Sequence, residues 1–389
     1  MRGALGILLV GAMTVTMVGC ADDESTDTLS RRNSKTNNGS SGGTNTGGTD
    51  PGNKPGPTTS AAVTACSAVT APTSLADVKD ATDLHLAGTA IFFQSGASVN
   101  RVLKNGGNKK TVFTSPNLTH SWADAKGLLL VETTGPDNPN ATLRTFNANQ
   151  PTEENPTPPA FPEFPVVEGE GAPGGATANT NFNAASAMIF GADDNNYYLT
   201  AEDGAGNSLI VAVNRGNPGA QTNLVTTDKV ISNPQIASAA IWWVQEGNRV
   251  FKAALATGEQ AQGEPKEVFG MGQPCNLAVN ESAAFCSIGA SIEQRDLTGA
   301  GVKTLIAVTA SKAPAAPYGL PVYFDSHLFL RNLNPDAEIK NVIRAVATGA
   351  APDEKLVACN REGIITDLAV DKDSIVWSEK DKGVFLTAR

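Results

Sequence analysis

The chain has 389 residues, with 29 Lys and Arg against 39 Asp and Glu and a formal net charge of −10. No basic stripe interrupts that balance, which argues against a nucleic-acid partner, because phosphate binding needs a clustered positive footprint. An acidic surface of this kind mainly confers solubility.

The chain opens with Met1-Arg2-Gly3, an apolar run from Ala4 to Val18, and Gly19-Cys20. A positive start and a short apolar core form the pattern of a secretory signal. The run is too short, and too interrupted by Gly and Thr, to span a bilayer comfortably. Met17-Val18-Gly19-Cys20 resembles a bacterial lipobox. The resemblance implies that residues 1–19 are removed and that Cys20 becomes acylated, with palmitate among its chains. More than one chain is needed, since a single acyl chain holds a membrane only marginally. Ala21 rather than Asp follows Cys20, and by the same resemblance this implies an outer-membrane lipoprotein. From Ala21 to Ser60 only Ala21 and Leu29 are apolar. Such a segment cannot bury enough surface to offset its ordering entropy. Residues 20–60 therefore read as the lipidated Cys and a disordered linker, with a root-mean-square span of about 35 Å.

Residues 61–389 remain as one domain. The chain has five cysteines; with Cys20 used by the lipid, Cys66, Cys275, Cys286 and Cys359 are left. An even number in an exported domain suggests disulfides, and four cysteines allow three connectivities. Cys275 and Cys286 bracket an apolar stretch, a polar turn and a second apolar stretch, which suits a cross-strand bridge. Cys66 and Cys359 would then form the second pair.

A repeat runs through the domain. Ile91-Phe92-Phe93, Leu128-Leu129-Leu130-Val131, Tyr197-Tyr198-Leu199 and Ile241-Trp242-Trp243 are successive copies of one apolar strand. Phe285-Cys286, Leu328-Phe329 and Ile375-Val376-Trp377 continue the series. The aligned bulky positions Tyr198, Trp243, Cys286, Phe329 and Trp377 are spaced by 45, 43, 43 and 48 residues, the period of a propeller blade. Further strands follow each copy. Val250 to Leu255, Ile292 to Leu297 and Val342 to Ala347 each run into a Thr-Gly turn, and Lys266 to Phe269, Val302 to Ile306 and Lys355 to Ala358 come next. One unit is thus four short strands. Phe93 and Leu130 bring the count to seven blades, with six and eight also compatible with the spacing. The last unit stops after its third strand. Val63-Thr64-Ala65-Cys66-Ser67 looks like Leu356-Val357-Ala358-Cys359-Asn360, so the N-terminal stretch would complete the last blade and remove an open edge. Gln150 to Asn183 is rich in Pro, Gly, Glu and Thr and lengthens the second unit. Within it, Phe164 to Val167 reads as an outer strand flanked by spacer.

The Ala-Val-Asp turn at Ala369-Val370-Asp371 and the strand Ile375-Val376-Trp377-Ser378 resemble bacterial relatives of the YWTD, low-density-lipoprotein-receptor-like propellers. The resemblance covers the blade core over most of residues 61–389. It implies a fold and says little about a ligand, because no copy carries the full Tyr-Trp-Thr-Asp signature.

Catalytic patterns are scarce. The three histidines, His85, His120 and His327, fall in different blades, and a propeller could bring them together only around its channel. Structural zinc would need closer Cys and His spacing, and no Gly-x-Ser-x-Gly elbow occurs. Asp193-Asp194-Asn195-Asn196 and Asp371-Lys372-Asp373 could offer oxygens to calcium, but they fall where hairpin turns favour Asp and Asn anyway. Asp83, Asp124 and Asp367 are acidic residues that a channel metal could use. The expected fold is all-β, a single β-propeller after a disordered tether. The expected function is a lipid-anchored envelope binding or scaffold protein with a protein partner and no cofactor. The alternative is a metal-dependent propeller enzyme of lactonase or lyase type.

Overall fold

The computed structural model describes residues 69–389 apart from 136–137, 149–174, 256–262, 289–290, 307–320, 333–341, 350–353 and 360. It forms a β-propeller of seven four-stranded antiparallel blades. The first strand, β1 (Thr73–Ala76), belongs to the last blade. Blade 1 is β2 (Ala81–Ala87), β3 (Ala90–Ser95), β4 (Ser98–Leu103) and β5 (Lys110–Thr114). Blade 2 is β6 (Leu118–Ala123), β7 (Gly127–Gly135), β8 (Asn138–Asn147) and β9 (Ala176–Asn183). Blade 3 is β10 (Met188–Ala192), β11 (Asn196–Glu202), β12 (Ser208–Asn214) and β13 (Gln221–Thr227). Blade 4 is β14 (Ile231–Ala237), β15 (Ala240–Gln245), β16 (Arg249–Ala254) and β17 (Lys266–Gly270). Blade 5 is β18 (Asn276–Val279), β19 (Ala283–Ile288), β20 (Ser291–Asp296) and β21 (Lys303–Ile306). Blade 6 is β22 (Val322–Phe324), β23 (His327–Asn332), β24 (Val342–Ala347) and β25 (Glu354–Ala358). Blade 7 is β26 (Ile365–Val370), β27 (Ser374–Glu379) and β28 (Gly383–Ala388), completed by β1.

The repeated apolar runs are the second strands. Each is sandwiched between two neighbouring blades, and a strand buried on both faces reads as continuous apolar sequence rather than as alternation. The alternation survives as a choice of neighbour. Phe92 packs into the interface of blades 1 and 2, and Phe93 into that of blades 7 and 1. Trp242 and Trp243 divide in the same way between the two flanks of blade 4. Seven apolar clusters result, one at each blade interface, so the core is a ring. The first strands of consecutive blades touch all the way round, which encloses a central axis.

The sequence alignment slips by one residue in two blades. Phe93, Leu130, Trp243, Cys286 and Trp377 all face the preceding blade. Tyr198 and Phe329 face the following one, and their neighbours Tyr197 and Leu328 take the equivalent side. A slip of one position exchanges the two faces of a strand.

The ring closes with β1 antiparallel to β28, pairing Thr73 with Leu386 and Ser74 with Phe385. The closing strand is therefore Thr73–Ala76, not Val63 to Ser67, which lie outside the described residues. Spacing explains the difference. Three residues carry the chain from β5 to β6 and from β13 to β14, and four carry it from β1 to β2, whereas a closing strand ending at Ser67 would leave a much longer crossover. A second correction concerns the insert. The outer strand of blade 2 is Ala176–Asn183; Phe164 to Val167 lie outside the described residues.

Cys275 and Cys286 are disulfide-bonded, with their Cα atoms 5.2 Å apart. The bond ties the residue before β18 to β19 inside the interface of blades 4 and 5. Cys359 is also disulfide-bonded; its expected partner, Cys66, lies outside the described residues. The double substitution Cys275→Ala/Cys286→Ala is expected to lower the unfolding free energy by about 2–4 kcal/mol, as loss of a short cross-link does. A denaturant midpoint unchanged from that of the native protein would contradict this.

Candidate functional site

The first strands of blades 7, 1 and 2 bring together several of the acidic and histidine residues that the sequence marks out. In β2 a bulge between Thr82 and His85 places Asp83 at φ 48°. Asp tolerates this left-handed backbone better than most residues, through local hydrogen bonding of its short side chain. Blade 4 repeats the device with Asn233 at φ 52° in the bulge of β14. Bulges re-aim side chains, and here Asp83 reaches the next blade. Its Oδ2 accepts from the Ser121 N–H at 2.9 Å and lies 3.4 Å from His120 Nδ1. Asp367 makes the same contact one blade earlier: Oδ2 accepts from the Leu84 N–H at 2.8 Å, and Oδ1 accepts from the Leu368 N–H at 2.8 Å. In blade 4 Gln235 Oε1 accepts from the Val279 N–H of blade 5 at 2.9 Å, while Nε2 donates to the Leu277 carbonyl. These side chains hydrogen-bond one inner strand to the next.

His85 completes the cluster. Its Nε2 is 3.2 Å from the Ser121 carbonyl, and its ring packs on Trp122 with centroids 4.2 Å apart. Burial pushes the imidazole pKa below its ordinary value and outweighs the upward pull of the Asp83, Asp367 and Asp124 carboxylates. The neutral ring is therefore the folded form near neutral pH. Below about pH 6.5 the unfolded chain takes up a proton that the folded one resists, so stability falls as pH falls through that value. Unfolding midpoints between pH 7.5 and 5.5 should decline more steeply in the native protein than in His85→Gln, by less than about 1.4 kcal/mol per pH unit. Equal slopes would remove His85 as the cause.

The remaining candidates lie elsewhere. Asp124 joins blades 2 and 3: it is gripped by both terminal nitrogens of Arg215, with Nη1 at 3.0 Å, and by the Lys126 and Gly127 N–H groups at 2.8 and 3.0 Å. The guanidinium lies 4.3 Å above the Tyr197 ring and donates from Nε to the Asp193 carbonyl at 2.7 Å. Burial alone would raise the Asp124 pKa, but Arg215 and the two amides together hold it below the usual carboxylate range. His327 sits in blade 6 beside the Asp325 carbonyl, at 3.0 Å. Asp193 and Asp371 spend Oδ1 on the N–H groups of their own turns, at Asn195 and Asn196 and at Asp373 and Ser374. Among the described residues, no three His, Cys, Asp or Glu side chains converge as metal ligands would. Sequence reasoning did not find Arg215, Gln235 or the pair Arg361–Glu379, because their partners lie across blade junctions or crossovers.

Strand direction defines two faces. The first strands begin on one, where the crossovers between blades run; the turns joining first to second strands lie on the other. On the first face a cleft of about 200 Å³ opens between blades 1 and 2 beside the buried pair Glu132–Arg144, whose nitrogen and oxygen are 3.1 Å apart. On the second face a groove of about 440 Å³ runs between blades 6 and 7. Among the described residues, Met188, Val230, Val302 and Ile364 are the large apolar side chains left exposed. Met188, Val230 and Ile364 share one topological position, at or just before the start of a first strand, and so stand on the first face.

No family model matches the sequence, and no curated protein matches it. Solved structures do. A chain of a mitotic checkpoint complex matches with a TM-score of 0.53 and 10% identity, over 85% of this chain and 96% of its own. The WD40 β-propeller domain of Doa1 matches with a TM-score of 0.50 and 11% identity, over 82% and 96%. BamB from Moraxella catarrhalis is similar at a TM-score of 0.44 and 12% identity, over 82% and 98%. At such identities the likeness defines the fold alone, a β-propeller.

Proposed function

We propose that this chain is a non-enzymatic binding or scaffold protein of the bacterial cell envelope, held to the outer membrane through acylated Cys20, whose propeller engages a protein partner with its first face. The blade motif at Ala369 to Ser378 and the lipobox-like Met17 to Cys20 belong to the same reading, as a lipoprotein with YWTD-like blades. The observation that carries the partner face is the shared position of Met188, Val230 and Ile364. Apolar side chains left in water on a rigid ring offer contact area at little ordering cost, which is what a protein interface uses. The use of Asp83 and Asp367 oxygens on backbone amides supports this reading over a metal-dependent lactonase or lyase, which needs its carboxylates for the metal. One matched structure belongs to a multiprotein assembly, a setting that suits a scaffold.

In-cell crosslinking of the full chain, followed by purification from membranes, mass spectrometry and metal analysis, tests the reading. A near-stoichiometric protein partner is expected. The triple variant Met188→Asp/Val230→Asp/Ile364→Asp should weaken its capture tenfold or more, roughly 1.4 kcal/mol, with little change in stability because the sites are exposed. Stoichiometric metal with a chelator-sensitive activity and no partner would overturn it.

A further inference from the structure

We propose that the cleft between blades 1 and 2 on the first face binds a single sugar ring, a neutral ligand whose hydroxyls donate to Glu132 and to the threonines around it. Glu132 pairs with Leu118, the first residue of β6. Glu379 holds the same position in blade 7, opposite Ile365 at the start of β26. Both side chains are buried, Glu132 at 5% exposure and Glu379 at 1%. Their hydrogen bonding differs. Glu379 accepts from Trp377 Nε1 at 2.8 Å and from Arg361. Glu132 Oε2 lies 3.1 Å from Arg144 Nε, yet neither atom makes a hydrogen bond within the protein. Buried polar atoms are hydrogen-bonded as a rule, so an exception calls for a cause. An ion pair that no hydrogen bond fixes leaves the carboxylate able to turn an oxygen toward an occupant, and Glu132 lines the cleft.

The walls narrow the class of ligand. Thr133, Thr134 and Thr142 also line the cleft. Each spends its hydroxyl proton within the protein, on the Asn117 carbonyl, the Asn140 carbonyl and Asn179 Oδ1. What these hydroxyls have left to offer is lone pairs. The lining therefore calls for a ligand with several donors. Glu132 and Arg144 cancel in charge, and the Arg144 guanidinium is held against the Phe113 ring of blade 1, 5.6 Å from its centroid. The floor thus favours neither a cation nor an anion by net charge, which leaves neutral donors, namely hydroxyls. The threonine methyls and Pro116 offer apolar contact to ring C–H groups. The cleft holds about 200 Å³, less than the roughly 300–1,000 Å³ of sites for drug-sized ligands, so one ring fills it. The inference goes beyond the partner reading above and does not depend on it.

Saturation-transfer NMR on the full chain, purified from membranes in a detergent without a sugar headgroup, tests this. The probes are glucose, galactose, mannose and N-acetylglucosamine. At least one should bind saturably to the native protein. Glu132→Gln should weaken that binding about tenfold or more, as loss of a hydrogen bond to a charged group does. Thr142→Val, at a half-buried position, should weaken it as well. Glu379→Gln makes the same change at the same position of blade 7 and should leave the dissociation constant unchanged, which separates loss of the site from loss of stability. No saturable binding by any of these sugars, equal affinity in the native protein and in the Glu132 and Thr142 variants, or binding of methylammonium in place of the sugars overturns the proposal.

Discussion

Replacing Gly383 by alanine is expected to open the propeller at its seam. Gly383 begins β28 at φ +125°, a backbone conformation that side chains resist. A Cβ there would sit 2.0 Å from the Ala76 carbonyl oxygen and 3.3 Å from Asp77 Cα. Both neighbours are main chain, and both belong to the closing strand or its crossover, so no side chain can rotate away. Either β1 leaves β28 or the turn after β27 distorts. Backbone strain and overpacking together should cost about 3–5 kcal/mol. The loss should read as a lower denaturant midpoint and as faster proteolysis around Lys79, just before β2. A midpoint equal to that of the native protein would show that closure tolerates a side chain at this position.

Removing the carboxylate of Glu379 is expected to have a comparable effect from inside blade 7. Glu379 is 1% exposed. Its Oε1 accepts from Trp377 Nε1 at 2.8 Å and pairs with the Arg361 guanidinium from the crossover that enters the blade. Arg361 also lies over the Phe385 ring, with its guanidinium carbon 4.6 Å from the centroid. Glu379→Ala leaves the buried Trp377 indole N–H and the half-buried Arg361 guanidinium without this acceptor. Breaking one side of a buried pair costs about 3–5 kcal/mol. Glu379→Gln keeps an acceptor for Trp377 and should lose less. Unfolding curves for the two variants decide the matter: equal losses would mean that the charge, not the acceptor, carries the effect.

The blade count could be read from the sequence because second strands are buried on both sides and so stay apolar in every copy. The same property hid their phase. Where all positions are apolar, nothing marks which side faces which neighbour, and Tyr198 and Phe329 were aligned one residue off. The closing strand was missed for the opposite reason. Thr73-Ser74-Leu75-Ala76 buries only its last two residues, a weaker signal than Val63 to Ser67. His85, His120, Asp83 and Asp367 stood out as residue types, but their common use did not. That use depends on a left-handed bulge at Asp83 and on register between strands up to 283 residues apart. Arg215 and Asp124, 91 residues apart, gave no local pattern at all.

Three-strand blade 7 and its borrowed β1 have a practical consequence for handling the molecule. β1 begins, and β28 ends, on the second face, and Val69 and Arg389 line the same groove there. An extension placed before Val69 or after Arg389 therefore leaves from the side opposite Met188, Val230 and Ile364. First strands of six or seven residues, as in most blades, set those sides about 20 Å apart. A fluorescent protein joined directly after Arg389, or in place of the residues before Val69, would therefore start from the second face, away from the first.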